Sequence, residues 1–133
     1  CGGDRDAVSD GQPSLSIELM VSFLYDLIAR GNPVGLFGMV NVLEGTSIAL
    51  ATQAAGTIQS TLALPDRAFS YLSSHGALDQ DHMVTYRQLM DRLDDADDQR
   101  AVIQAAKVVY RLYTDMFQGL PRAGLQEVRH ALA

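Results

Sequence analysis

The residues of this chain best suited by type and spacing to do chemistry lie in His75-Gly76-Ala77-Leu78-Asp79-Gln80-Asp81-His82, an H-x-x-x-D-x-x-H pattern. A helical residue turns by about 100°, so spacings of four and three return side chains to one face. With His75 at zero, Asp79 falls at about 40° and His82 at about −20°. Imidazole nitrogens and a carboxylate gathered in this way suit a mid-row transition metal, non-haem iron included. Two of the three histidines in the chain sit here, so metal-binding capacity is concentrated in this segment. The rise from His75 to His82 is about 10 Å on a straight helix, a stretch for a single ion. Two ions sharing Asp79, or a break of the helix at Gly76, would fit better. On these residues alone, the plainer alternative is a pair of structural histidines on an amphipathic helix.

A second carboxylate, Glu44, lies in the otherwise apolar stretch Met39-Val40-Asn41-Val42-Leu43-Glu44-Gly45-Thr46-Ser47. Burying it costs free energy unless it is paired or metal-bound. The alternative is a glutamate on the wet face of a partly exposed helix. Tyr86, one turn beyond His82, can orient a ligand from behind or serve as a core aromatic.

Positioning these groups falls to helices. Residues 1–13 are rich in Gly, Asp, Ser and Pro without apolar periodicity and read as a flexible leader, followed by one helical domain over 14–133. Ser14 or Ser16 can cap a helix over 15–30 whose inner face is Leu19, Met20, Phe23, Leu24, Leu27 and Ile28. Gly31 ends it, and Asn32-Pro33 restarts the chain as cap and first helical residue. The next helix, 34–62, accepts Gly35, Gly38, Gly45 and Gly56 despite their cost, which implies close approach of another backbone or a ligand. Leu64-Pro65-Asp66 opens a third helix, 66–93, that Gly76 can kink or split. The Asp94–Asp98 cluster supplies a solvated turn and an N-cap. A fourth helix, 98–118, would bury Val102, Ile103, Ala106, Val109, Tyr110, Tyr113 and Phe117. Gly119 and Pro121 stop it, and a short segment near 125–132 closes the chain. No strand-like alternation appears, so the fold class is all-α.

Composition narrows the function classes. With 47% hydrophobic residues the chain can build one core, and at 133 residues it holds one domain or part of one. A net charge of −6 without a basic patch argues against nucleic acid. The apolar runs are interrupted before the length a membrane span needs. A lone Cys1 excludes a disulfide framework and any cysteine-rich metal site. A chain headed Cys1-Gly2-Gly3 without methionine reads as processed, trimmed or excerpted; a lipid-modified cysteine is the alternative. No signal peptide is visible, and the expected location is cytoplasmic.

Val42-Leu43-Glu44-Gly45-Thr46-Ser47, followed by Tyr71-Leu72-x-x-His75-Gly76-x-Leu78-Asp79-x-x-His82, resembles the haem-oxygenase-like superfamily. The closer match is its metal-dependent branch, the haem-oxygenase-like diiron oxidases and oxygenases. The resemblance runs from about Gly31 to Pro121. It implies a multi-helix bundle in which Glu44 takes the middle-helix ligand position and His75, Asp79 and His82 the late set. The branch's early E-x-x-x-x-x-x-H pair is not present: Glu18 is followed seven residues later by Tyr25. A bundle incomplete on its N-terminal side is therefore expected. The Glu44 element also resembles the distal helix of bacterial haem oxygenases, but Ile48-Ala49-Leu50-Ala51 stands where that helix has paired glycines. Thiaminase relatives use a cysteine nucleophile that has no counterpart here.

The resemblance implies an iron-dependent oxidase or oxygenase that activates O₂ against a small organic substrate. It would use one or two iron ions, or manganese, held by Glu44, His75, Asp79 and His82, with Tyr86 behind them. The alternatives are a haem-binding or haem-degrading relative, and a non-catalytic helical dimerisation module. The apolar glycine-bearing face of 34–62 leads us to expect a homodimer, or association with a missing N-terminal segment, that covers it.

Overall fold

Two of the corners between helices are set by side chains that satisfy backbone groups the helix ends leave unpaired. Asn32 accepts from the Val34 amide at 3.0 Å and so starts a 3-10 turn over Pro33–Gly35. Its amide group also donates to Asp98 Oδ1 at 2.6 Å, fastening this corner to a helix that begins more than sixty residues later. Asp95 accepts from the Asp97 and Asp98 amides at 2.7 and 3.2 Å and caps the last helix. Ala63 adopts φ 50°, ψ 39°, a left-handed residue that ends the longest helix ahead of Leu64-Pro65 and turns the chain back on itself.

The computed structural model describes residues 4–120. The helices are α1 (Arg5–Ser9), α2 (Leu15–Ala29), α3 (Leu36–Leu62), α4 (Ser70–Met90) and α5 (Ala96–Gln118), with 3-10 turns over Pro33–Gly35 and Asp66–Phe69. No strand occurs among the described residues, and the fold is the all-α bundle the apolar spacing implies. α3 is the central element, packed against both α4 and α5, while α2 lies on α5.

Differences from the expected elements are local. The leader over 1–13 contains the single-turn helix α1. The expected 34–62 and 66–93 helices each begin with a 3-10 turn, and α4 stops at Met90. α4 also runs unbroken through Gly76, so the kink or split considered there does not occur. The segment near 125–132, like Cys1 and His130, lies outside the described residues.

The core is narrow because α3 and α5 come close. Ala105 and Val109 of α5 are fully buried, with Val42, Ala51 and Ala55 of α3 and Met83 of α4 nearly so. Gly38 allows this approach: a Cβ there would lie 2.5 Å from the Ala106 amide nitrogen and closer still to the Val102 carbonyl oxygen. Several residues expected inside are exposed. Leu19 and Ile28 on α2 and Ile103, Tyr110 and Phe117 on α5 keep about half of their surface or more. Two packed neighbours cover only part of a helix whose apolar residues extend around more than one face.

The stretch Pro33–Ala51 is long and apolar enough to cross a membrane by length and composition. Asn41, Glu44, Thr46 and Ser47 interrupt the apolar run as expected but are too few to lower its average hydropathy, and a core helix of a bundle passes the same test. In this fold the same stretch lies between α4 and α5.

Candidate metal centre

α3 and α4 form an antiparallel hairpin, which brings Glu44 opposite Asp79 and His82. Donor atoms of these three side chains all lie within 4.8 Å of one another. His82 Nδ1 is 3.6 Å from Glu44 Oε1 and 3.8 Å from Asp79 Oδ1. Those separations are too long for hydrogen bonds. They approach the spacing of two donors that share one ion at about 2.0–2.2 Å. Asp79 is buried, Glu44 is mostly covered, and the His82 ring is half exposed at the edge.

Glu44 Oε2 is fully buried and has no hydrogen-bond partner. A buried carboxylate oxygen left unpaired is expensive, on the order of 1–3 kcal/mol or more. It is best accounted for by a cation. A nitrogen and two carboxylates are also the donor chemistry of non-haem iron. The residues present therefore fit a metal ion.

His75 stands apart from this group. It lines the same cavity one to two turns farther along α4, as the rise of an unbroken helix requires. Its Nδ1 lies 3.1 Å from the Tyr71 carbonyl oxygen. A carbonyl only accepts, so in the neutral ring the proton belongs on Nδ1 and Nε2 carries the lone pair. This is the backbone support typical of ligating histidines. The Tyr71 ring stacks on His75 with centroids 4.0 Å apart. Tyr86 is turned toward Phe37, with centroids 6.4 Å apart and planes at 61°, and does not line the cavity. Burial raises its phenol pKa above the usual value.

The cavity beside the donors has a volume of about 730 Å³, in the range of small-molecule sites. Leu50, Ala54 and Ile58 of α3 form one wall, and Tyr113 and Phe117 of α5 another. The two aromatic rings meet edge to face at 4.9 Å. Tyr113 is held above the ordinary phenol range, first by burial and then by the neighbouring Tyr71. By spacing Tyr113 belongs to the core face of α5, and Tyr71 carries no local mark of a role at the site. Their spacing marks helical faces only, and nothing local signals that those faces meet across a cavity.

A carboxylate-rich donor set on two helices of a bundle, open to an apolar cavity, is an arrangement suited to redox metal chemistry. Residues 1–114 match the haem-oxygenase-like family described as iron-containing redox enzyme, and the chain belongs to that family. Its general function is accordingly of the oxidoreductase type. No curated protein and no solved structure matches the chain.

Proposed function

We propose that this chain binds iron through Glu44, Asp79 and His82 and supports oxidation of a small organic molecule held in the adjoining cavity by O₂. The observation that carries the reading is the buried, unpartnered Glu44 Oε2 facing a second buried carboxylate and an imidazole. Two carboxylates balance the charge of a divalent ion and favour its oxidised state. Bound iron supplies the one-electron redox chemistry that O₂ activation needs. The chain's own part is to hold the donors on two rigid helices, to present His75 in the same cavity, where it would serve as a donor were a second ion bound, and to keep water from the apolar wall. The Tyr71 and Tyr113 hydroxyls and those of Thr46 and Ser47 are the hydrogen-bonding groups of that wall. The haem-degrading alternative receives no support from α3, which is continuous from Leu36 to Leu62 through the Ile48–Ala51 segment.

Metal stoichiometry tests this directly. Wild-type protein reconstituted anaerobically with ferrous iron or manganese should retain the ion through desalting, whereas His82→Ala should not. Asp81→Ala should behave as wild type, because Asp81 points about 100° from His82 around α4. Equal metal uptake by wild type and His82→Ala would sink the ligand assignment.

A further inference from the structure

α5 stops short of the cavity it helps to wall. It runs beside α3 in the same direction, with Gly35 against Ala101 and Gly38 against Ala105 and Ala106. At that offset Gln118, the last residue of α5, is level with about Ala51. α3 continues to Leu62, so it overhangs the end of α5 by about 16 Å. The overhang is apolar on its cavity side: Ala54 and Ile58 of α3 and Tyr71 and Leu72 of α4 form the outer end of the cavity. Leu50 is 54% exposed there, Ile58 41% and Tyr71 68%. Contiguous bare hydrocarbon of this kind usually marks a docking surface.

A length of chain able to cover it follows at once. Leu120, itself exposed, comes just after Phe117 of the cavity wall, and Pro121 cannot extend α5. Residues 121–133 lie outside the described residues, and their sequence alone is used here. Leu125, Val128 and Leu132 recur at spacings of three and four, which gathers them within about 60° on one helix face. Gln126, Glu127 and His130 fall about 130° or more from the centre of that face. As a helix, residues 122–132 would rise about 15 Å, the length of the overhang. Charge agrees as well. Arg122 and Arg129 against Glu127 give the segment +1, which leaves −7 on the rest of a chain of net charge −6. A second copy would instead bring up a body of like charge.

We infer that residues 121–133 dock on the outer end of the cavity as a short amphipathic helix. Leu125, Val128 and Leu132 face Leu50, Ile58 and Tyr71, and the side carrying Gln126, Glu127 and His130 faces water. The segment walls off the outer 12 Å or so of the cavity, from Leu50 to Ile58. The edge beside the half-exposed His82 is then the way in. This inference rests on the fold and on the sequence of the segment, not on a metal at the site.

Hydrogen exchange on the full chain without metal tests it. Amides of residues 126–132 should exchange at least about tenfold more slowly than in a free peptide. That factor is modest because ordering the segment offsets most of what three buried side chains contribute. Leu132→Asp and Gln126→Asp each add one carboxylate, on opposite faces of the segment. Leu132→Asp should return these amides to free-peptide rates, and Gln126→Asp should leave them protected. A nitroxide on His130→Cys, with Cys1→Ser, should broaden the amide signals of Ala54, Ile58 and Leu72 and spare Ala101. Free-peptide rates in the wild type would overturn the inference, as would equal protection in Leu132→Asp or broadening confined to Phe117 and its neighbours. So would protection lost on about hundredfold dilution, which would put a second copy on the overhang. Iron uptake is read on separate samples, so the metal site and the docked segment can each fail alone.

Discussion

Replacing Gly38 by alanine tests the closest contact in the fold. The added Cβ would sit 2.5 Å from the Ala106 nitrogen, closer to the Val102 carbonyl oxygen, and 3.0 Å from the Ala105 Cβ, whereas ordinary contact begins at 3.4 Å. Two of these neighbours are backbone, so no rotamer change can relieve the overlap; α5 must move from α3 by nearly 1 Å. A gap of that size forfeits a quarter to a half of the dispersion contact of the atoms lining it. Those atoms include Ala105 and Val109, which are fully buried. Overpacking of this kind costs about 1–3 kcal/mol, and the better helix propensity of alanine returns at most about 1 kcal/mol. A net loss of about 2 kcal/mol is expected, a large share of a small domain's stability of roughly 5–15 kcal/mol. Gly45, on the same helix, has nothing within 4 Å of its would-be Cβ. There the same substitution should stabilise by about 0.5–1 kcal/mol. Urea unfolding followed by far-ultraviolet circular dichroism gives both numbers. Wild-type stability in Gly38→Ala, or a loss of the same sign and size in Gly45→Ala, would refute the packing argument.

The remaining expectations are briefer. Glu44→Gln should stabilise the metal-free protein by about 1 kcal/mol, since it exchanges a buried, unpaired carboxylate for an uncharged amide that can donate to Asp79, while ending metal-induced stabilisation; thermal melts with and without iron read both. Asp95→Ala should cost about 1 kcal/mol through loss of the α5 N-cap, whereas Asp94→Ala should cost little in the same urea assay. Tyr86 and Tyr113 have phenols whose folded pKa is raised by burial. Their contribution is thus fully present below the unfolded value near 10 and lost as pH rises through the folded values. Ultraviolet titration should show two late-ionising tyrosines, and stability should decline over that alkaline range; five tyrosines titrating together would contradict it.

Much of the scaffold was legible because its signals are local. Asn32-Pro33 opens the turn before α3 and the aspartate cluster supplies the α5 cap, each marked by a residue type with a backbone role, while Ser14 holds the N-cap position of α2 without a side-chain capping bond. The 3-10 turns and the early end of α4 depend on neighbouring elements and carry no such mark. Periodicity gave the faces of α2 and α5 but overstated their burial at Ile28, Ile103 and Tyr110, because it reports which residues align and not what covers them. At the site, Asp79 and His82 share a face by spacing alone. Their pairing with Glu44 needs the α3–α4 hairpin, which entered through resemblance. His75 shares the face as well, and the helical rise of about 10 Å to His82, legible in the spacing, accounts for its standing apart from the other three donors. Tyr71 and Tyr113 were missed as cavity residues because they come from different helices.

The three clustered donors all belong to one helical hairpin, two of them on one strand of it and the third 38 residues earlier. A metal ion gripping them would therefore act as a removable cross-link. The ion would bind the folded hairpin and leave on unfolding, so it would stabilise by mass action, about 2.7 kcal/mol when free metal stands a hundredfold above its Kd. Because the clasp closes within α3 and α4, it would tighten the hairpin without reaching α2 or α5. Hydrogen exchange would then slow unevenly on metal loading, most around residues 44–82 and least at the chain's first helices. The protein would carry its metal status as a local change in rigidity rather than as a change of fold.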